Sequence, residues 1–509
     1  MESSRNPAQQ APGGNPVLMA LPKYDLLLAA VVLGILCVAV FGSVAGFEFQ
    51  KNYDDQLYVL DNPLVRDGMS WKAFVAAFQT IGIGSVWAPV LWLSFQLDVA
   101  LMGGLSSAGM HLENLAQHWM AGVLTYLVIR RLSGDKWLAT VLVLLWSFSP
   151  LVCETVGWVT ERKNTLAQVF FMAALWAYIR PSRSSRWAAG WTFVVGMLAM
   201  MVKSSTVILP IALLLADHVL GRFSRRRLLA MLPLFAFAGF TGVLTIIAEQ
   251  HGNSLSAAGS IPLSLQSLAI YARQMFWPAE LCYMYEDYSV SPWLAGTGAL
   301  LLVGLLFAAW RSRHSAPLVT FSALLTLASL ALVLGYPRLV GEATHADRFI
   351  YMPLLFGLLT VLALLPKTIV PWLSVLAVPL AVASYYQVQT WQSDQTRIEH
   401  GARYYPNTLS AIHLYTTKHP VDEAIRYVQE KLRTGAVRSE YARVELYYLL
   451  ARLQKLSGQD LAAISTLLEV MREQPRYCPV YAIQVLVLAE SYGLKQEVAR
   501  ERARLGVLY

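Results

Sequence analysis

The 509-residue sequence contains few charged residues and few cysteines. Charged side chains make up 14% of the chain, against about 25% in a soluble protein. Hydrophobic residues reach 56%, so the composition excludes an ordinary soluble domain and predicts a polytopic membrane protein. The four cysteines form no C-x-x-C pair and no Cys/His zinc spacing, although a disulfide between Cys153 and Cys282 stays open.

Long apolar runs set the predicted organisation of the chain. Residues 1–16 are polar and rich in Pro and Gly, so the sequence predicts a disordered cytoplasmic N-terminus over residues 1–20. Runs of about 20 apolar residues then predict about eleven membrane-spanning helices within a domain at 21–387. These lie near 24–46, 112–131, 136–150, 164–180, 187–202, 204–220, 228–247, 293–310, 316–335, 348–366 and 368–386.

The basic residues predict how these helices are oriented. They cluster in five short loops, which explains the net charge of +8 without a nucleic-acid partner. All five loops fall on one side of the membrane if the N-terminus is cytoplasmic: Arg130, Arg131 and Lys136; Arg180, Arg183 and Arg186; Arg222 with Arg225, Arg226 and Arg227; Arg311 and Arg313; and Lys367. Eleven spans then place residues 388–509 outside the cytoplasm.

The opposite face collects acids, bases and histidines. The first loop, 47–111, opens with Asn52, Tyr53, Asp54 and Asp55 directly after a span. Carboxylates beside hydrocarbon are costly, so a catalytic base is one interpretation and a solvated turn is the other. The loops at 151–163, 248–292 and 336–347 lie on the same face. Polar groups at the membrane rim favour an enzyme acting there over a transporter, which would place them near the midplane.

Two helical patterns occur in and after the first loop. In 69–80, Trp71, Phe74, Val75 and Phe78 share one face, as in a helix that lies in the membrane interface or packs on the bundle. His111, Asn114 and His118 form one helical stripe further on. With Asp98 they could ligate a metal, but hydrogen bonds that hold the first loop are the favoured interpretation.

After the last apolar run, residues 388–509 become charged and helical. Small and aromatic residues follow tetratricopeptide-like spacing, at Tyr447, Leu450, Ala451, Gly458, Ala463, Leu467 and Pro475. Further helices are predicted near 420–434, 479–491 and 494–505. The sequence therefore predicts an α-solenoid, a shape that commonly binds a peptide or protein.

Several motifs occur in an order found in a known family. They are Asn52-Tyr53-Asp54-Asp55 with Tyr58, Asn62-Pro63 and Gly68; Pro89, Trp92, Ser94 and Leu97-Asp98; His111-Leu112-Glu113-Asn114 with His118; Pro150, Glu154, Val156, Trp158 and Glu161-Arg162-Lys163; Lys203 with Pro210; Trp277-Pro278; and Ala346-Asp347-Arg348-Phe349 with Tyr351 and Pro353. The chain resembles the bacterial relatives of the transmembrane and tetratricopeptide-repeat O-mannosyltransferases. The resemblance implies an all-α, GT-C-like bundle in the inner membrane of a bacterium, followed by the repeat domain in the periplasm.

The resemblance also implies a reaction and roles for the motif residues. It implies transfer of one sugar from a polyprenyl-phosphate donor to an exported or cell-surface protein, such as a pilin-like subunit. Asp54 would be the base, Asp55 its helper and Glu154 a further carboxylate or a helix cap. Donor phosphate contacts would come from Arg162, Lys163, Lys203 and Arg348, with lipid headgroups and structural ion pairs as alternatives. The supporting residues would be Asp98, His111, Asn114, His118, Glu161, His345 and Asp347. A divalent metal cofactor stays open.

Three positions depart from the family pattern. Ser149 and Val152 stand where histidines are usual, and Asn164 stands in place of an aspartate. A different sugar, such as a pentose, or a glycan or lipid acceptor is therefore an alternative. A non-catalytic membrane scaffold that works through its repeats is a second alternative.

Overall fold

The computed structural model describes residues 23–180, 185–251, 259–285, 289–336, 344–437 and 440–473. Within these ranges every regular element is helical, and no strand occurs. Helices satisfy backbone hydrogen bonds within their own segment, which suits a chain surrounded by lipid. The predicted all-α class is confirmed for this part of the chain, whereas residues 1–20 lie outside the described ranges.

The first apolar helix leads into a folded first loop. The helices of this region are α1 (Lys23–Phe41), α2 (Pro63–Arg66), α3 (Trp71–Gln79) and α4 (Pro89–Met102). Ser70 begins α3, since its side chain accepts a hydrogen bond from the backbone N–H of Ala73. The buried face of α3 carries Ala73 and Ala77, while Trp71 and Phe74 are exposed and stack at 5.5 Å. The predicted amphipathic helix therefore forms, with aromatic rings on its outer face.

The central helices build the largest hydrophobic core. They are α5 (Ser107–Ser133), α6 (Lys136–Ser147), α7 (Cys153–Gly157), α8 (Arg162–Ile179), α9 (Ser185–Val202), α10 (Leu209–Val219), α11 (Arg225–Ala230), α12 (Leu232–His251), α13 (Ile261–Phe276), α14 (Pro292–Ser312), α15 (Pro317–Ala331), α16 (Tyr351–Leu364) and α17 (Ala377–Val388). Helices α5, α6, α8 and α16 supply much of that core, and the indole of Trp146 donates a hydrogen bond to the carbonyl of Tyr351.

Several of these helices are long and apolar enough to cross a bilayer. Four segments of the described chain meet both conditions: 26–46, 232–249, 292–312 and 370–391. A fifth candidate is bent by 58° between 136–147 and 150–157. The chain is therefore a multi-pass membrane protein. The count of eleven spans stays a prediction, because five other apolar helices have only 10–17 residues each.

The C-terminal region is a series of short helices. These are α18 (Asp394–Tyr404), α19 (Leu409–Lys418), α20 (Val421–Arg433), α21 (Glu440–Leu456) and α22 (Asp460–Glu473). The α21–α22 pair turns at Gly458, whose positive φ of 79° suits glycine. Tyr447, Leu450, Ala451, Ala463 and Leu467 are all buried. The predicted helical hairpin is present, but the helices expected near 479–491 and 494–505 lie outside the described residues.

Candidate active site

The two adjacent aspartates of the first loop have different surroundings. Asp55 is fully buried, whereas Asp54 is half-buried. Asp55 accepts hydrogen bonds from the backbone N–H of Gln50 at 2.8 Å and from both the N–H and the hydroxyl of Thr160. The Asp54 carboxylate forms no hydrogen bond or ion pair with any other residue of the described chain. The geometry therefore leaves Asp54 available for chemistry and gives Asp55 a structural task.

Burial dominates the charge state of Asp55. It raises the pKa of this carboxyl to about 6, although the donors from Thr160 and Gln50 act in the opposite direction. The three hydrogen bonds nevertheless hold its side chain in one orientation. Asp55 thus fixes the backbone on which both aspartates lie.

A cluster of ion pairs lies beside the aspartates. Glu154 accepts two hydrogen bonds of 2.7 Å from Arg348, one from its backbone N–H and one from Nη1. Glu161 pairs with Lys163 at 2.9 Å and lies 3.9 Å from the Arg348 guanidinium. These residues come from α7, the turn before α8, the start of α8 and the turn before α16. The fold therefore brings together Glu154, Glu161, Lys163 and Arg348 from separate motifs.

Lys203 joins this cluster through an uncharged partner. Its ammonium donates a hydrogen bond to the side-chain carbonyl of Asn164, whose amide group donates to Glu161 and to the backbone carbonyl of Arg348. Burial lowers the pKa of Lys203 to about 8. An aspartate at position 164 would form an ion pair with Lys203. Because Asn164 is uncharged, Lys203 has no counter-charge on the side chain to which it donates.

The cluster holds more positive than negative charge. Lys163, Lys203 and Arg348 are the cations, while Glu154 and Glu161 are the acids in direct contact with them. Burial raises the pKa of Glu161, but the neighbouring cations outweigh it and lower the pKa overall. Buried charge is costly unless it is paired. An anion bound here would reduce the imbalance, which suits a phosphate group.

Arg162 has a different role from the neighbouring Lys163. It is fully buried, and its guanidinium donates hydrogen bonds to Asp98, to the Asn114 side chain at 3.0 Å and to the carbonyl of Met110 at 3.1 Å. All three of its nitrogens are thus used inside the protein. Arg162 therefore connects α4, α5 and α8, and we do not count it among the donor phosphate contacts.

The histidine stripe of α5 also bonds within the protein. His118 contacts the Tyr351 hydroxyl and the carbonyl of Ser147, while Nδ1 of His111 contacts the carbonyl of Ser107. Asn114 donates to the carbonyls of Trp158 and Val159. Within the described ranges, no three His, Cys, Asp or Glu side chains lie together as a metal site requires. These side chains are hydrogen-bonded as expected, but their partners lie in α5, at the end of α6, in α16 and around Trp158, so they do not bond the first loop directly. Among the described residues, the alternative metal set with Asp98 does not form.

Asp347 and His345 belong to the segment that directly precedes Arg348. Burial raises the pKa of Asp347 well above its usual range, and its carboxyl accepts a hydrogen bond of 2.8 Å from Tyr285. The His345 ring stacks on Tyr285 at 4.1 Å. Both residues support the segment that presents Arg348. Tyr285 and Thr160 were not expected as site residues. Tyr285 belongs to no motif, Thr160 is an unspecified position between Trp158 and Glu161, and their partners are distant in sequence.

Ser149 and Val152, which stand where the family pattern has histidines, both have structural roles. The Ser149 side chain accepts a hydrogen bond from the N–H of Leu151 and begins a short helical turn. Val152 is fully buried in the core. Neither side chain can donate or accept a proton near neutral pH, as an imidazole can.

The chain is similar in sequence to several curated O-mannosyl-transferases. It is 27% identical over 182 residues to protein O-mannosyl-transferase Tmtc2 of Drosophila melanogaster, covering 33% of this chain and 19% of that protein. It is also 27% identical over 222 residues to protein O-mannosyl-transferase TMTC1 of Mus musculus, covering 40% of this chain and 23% of that protein. The chain is a relative of these proteins. The matches span less than a quarter of the length of these two relatives.

Two other comparisons add little. No protein-family model matches the chain. Among solved structures, the oligosaccharyltransferase of Archaeoglobus fulgidus with a tethered acceptor peptide shares 12% identity and a TM-score of 0.36. The alignment covers 79% of this chain and 59% of that one. At this level of similarity it carries no argument about fold or function.

Proposed function

We propose that the protein is a membrane glycosyltransferase that moves one sugar from a polyprenyl-phosphate donor onto an exported protein. The reaction would take place at the membrane face opposite the basic loops. The observation that carries the proposal is the position of Asp54, a carboxylate without a protein partner among the described residues, beside an ion-pair cluster with excess positive charge. The names of the sequence relatives support a sugar as the transferred group and a protein as the acceptor.

The proposed chemistry assigns the groups as follows. An acceptor hydroxyl attacks the anomeric carbon of the donor, and the bond from that carbon to the phosphate oxygen breaks. Asp54 takes the hydroxyl proton, which a half-exposed carboxylate can do at the water interface. The lipid phosphate leaves with the bonding electrons, and Lys163, Lys203 and Arg348 stabilise its charge. Glu154 and Glu161 hold these cations in place and do not react.

Electrostatics connect the proposed base to the proposed phosphate site. Although burial opposes it, Glu161, Tyr58 and Asp54 raise the pKa of Lys163. Lys163 also lies 5.1 Å from the Tyr58 ring and 5.6 Å from the Trp158 ring. Lys163 therefore interacts electrostatically with both Asp54 and Glu161. A sugar phosphate bound at Lys163 would have to reach both the proposed base and the cations.

Mass spectrometry of exported proteins tests the proposal. Cells that make the wild-type protein should carry a sugar on at least one exported protein. Cells that make the Asp54→Asn variant at the same membrane level should lack it. A sugar that persists in the variant would contradict the role of Asp54. Identical glycan and protein profiles with and without the gene would favour the scaffold alternative.

A second candidate keeps the chemistry and changes the substrates. Ser149 and Val152 stand where the family pattern has histidines, which favours a sugar other than the one that the family transfers. A pentose, or a cell-envelope glycan or lipid as acceptor, fits the same cation cluster. The mass of the added group distinguishes these substrates directly.

A further inference from the structure

The first helix of the C-terminal region packs against the active-site loop. Asp394 of α18 accepts a hydrogen bond of 2.9 Å from the backbone N–H of Asn52. Gln50 donates to the carbonyl of Trp391, and the N–H of Glu48 donates to the carbonyl of Gln392. The segment that carries Asp54 is therefore bonded, residue by residue, to the beginning of α18.

Arg397 is the central residue of this contact. It is 2% exposed, and its guanidinium lies 4.5 Å from the Tyr53 ring and 4.6 Å from the Tyr283 ring. Its Nε donates to the Gln50 side chain at 2.9 Å, and Nη2 donates to Asp394 at 2.8 Å. A planar guanidinium can stack on rings and donate in its own plane simultaneously, which an ammonium group cannot do.

Tyr53 extends this stack to the other side of the site. Its ring stacks on Trp158 at 4.6 Å, and Trp158 in turn stacks on Trp391 at 5.3 Å. Trp158 lies directly before the turn that contains Thr160 and Glu161. The residue preceding Asp54 is thus held between α18 and the segment that supplies the cation cluster.

Helix α18 also fits closely against the segment around Tyr283. A Cβ atom added to Gly401 would lie 2.4 Å from the Tyr283 ring, and His400 bonds the carbonyl of Leu281 at 2.9 Å. Two residues further, Tyr285 donates to Asp347. Helix α18 therefore contacts both the segment that carries Asp54 and the segment around Tyr283 that leads to Asp347.

One atom of Arg397 argues against a purely space-filling role. Its Nη1 is buried and has no hydrogen-bond partner among the described residues. A buried donor without a partner is costly. An apolar residue would fill the same space without that cost, so the planar charge between two tyrosines is the useful property.

We propose that Arg397 is a positioning residue, which holds the Asn52–Asp55 segment so that Asp54 faces the donor, and that docking of α18 thereby controls transfer. This proposal rests on the proposed function for its catalytic half. Its structural half, the ordering of the first loop by Arg397, does not depend on any activity.

Hydrogen exchange and kinetics of the full-length protein in nanodiscs test both halves. In Arg397→Lys, exchange of the backbone amides of residues 50–56 should rise about tenfold, because these bonds open locally. The kcat should fall by about a hundredfold, as expected for a misplaced catalytic group, while KM for the donor changes less than about twofold because the cations are untouched. Arg397→Ala should give the same pattern more strongly. Gly401→Ala should also loosen the first loop, because the added Cβ would displace the Tyr283 ring.

Glu399→Gln is the matched control, since it lies on the same helix and forms an exposed ion pair with Lys418. It should change neither exchange nor kinetics. Unchanged exchange at 50–56 in a folded Arg397→Lys protein would overturn the ordering role, and faster exchange with unchanged kcat would overturn the positioning role. If the wild-type protein transfers no sugar, the proposed function fails, while exchange still decides whether Arg397 orders the loop.

Discussion

Asp55 accepts two hydrogen bonds from Thr160, a residue 105 positions further along the chain. One comes from the backbone N–H at 3.0 Å and one from the hydroxyl at 2.6 Å. Thr160 directly precedes Glu161, so this contact fixes the distance between the first loop and the cation cluster. It also explains why Asp55 is anchored while the adjacent Asp54 is not.

Substitution of the two aspartates should therefore have different effects. Asp54→Asn should fold, insert and lose transfer, because it removes the base without removing a structural bond. Asp55→Ala should lower the free energy of unfolding, because the buried N–H groups of Gln50 and Thr160 lose their acceptor at about 1–3 kcal/mol each. Thermal unfolding and transfer assays on both variants measure this separation.

Thr160→Val is the control for the second effect. It removes only the hydroxyl bond to Asp55 and should cost about 1 kcal/mol. Loss of stability in Asp54→Asn equal to that in Asp55→Ala would contradict the assignment of roles.

The charge of Lys203 predicts a pH dependence of donor use. Because burial lowers the pKa of Lys203 to about 8, the side chain is a cation below that pH and becomes neutral above it. The kcat/KM for the donor should therefore fall as the pH rises through about 8. Lys203→Arg should remove this fall, because a guanidinium stays charged throughout the range.

Asn164→Asp provides a second test of the same lysine. The new carboxylate would pair with Lys203, raise its pKa and compete with the donor phosphate. Donor affinity should decrease at neutral pH, and the fall in kcat/KM should shift to higher pH. An unchanged pH profile in both variants would show that Lys203 does not contact the phosphate.

Glu154 should act through Arg348 and not as a second base. Its two oxygens bond the Arg348 guanidinium and backbone N–H, so Glu154→Gln keeps one acceptor and loosens the other contact. We expect KM for the donor to rise by about tenfold with little change in kcat, the pattern of a lost binding interaction. Loss of kcat at unchanged KM would indicate a direct chemical role. Arg348→Ala should cost about 3–5 kcal/mol of stability, because Glu154 would be left buried and unpaired.

The membrane orientation can be tested by fusion. Alkaline phosphatase joined after Gln389 should be active, because the five basic loops place that position outside the cytoplasm. The same enzyme joined after Phe223, beside the basic residues Arg222 and Arg225, should be inactive. The reverse pattern would place the candidate site on the cytoplasmic face and contradict the proposed donor geometry.

Two truncations should test whether α18 is needed for transfer. A protein ending after Asn407 keeps α18 and its contacts with Gln50 and Asn52, whereas one ending after Thr390 loses them. Both should bind the donor, because the cations belong to the membrane part. The longer protein should keep transfer to a short peptide, and the shorter one should lose it. Equal transfer by both would show that α18 is not needed.

Local patterns in the sequence were enough to predict much of the fold. Apolar runs and basic loops predicted a multi-pass helical protein, and the aromatic spacing at Trp71 and Phe74 predicted a helix with one apolar face. The hairpin around Gly458 followed from residue size. These predictions succeed because hydrophobic periodicity, helix caps and turns depend on neighbours only a few residues away. The number of spans is harder to predict, because a short apolar helix can be buried in protein or in lipid.

The composition and motifs of the sequence determined that this is a helical membrane protein with a polar site after its first span, and they named Asp54, Lys203 and Arg348 within it. Only the tertiary structure decided that Asp55 anchors the first loop and that the Arg162 guanidinium bonds to Asp98 and Asn114. The contact between Arg397 and the Tyr53 ring is likewise visible only in the tertiary structure. These roles depend on contacts between residues from 48 to 347 positions apart. No local pattern encodes such contacts, since burial and hydrogen-bond partners are set when distant helices pack together.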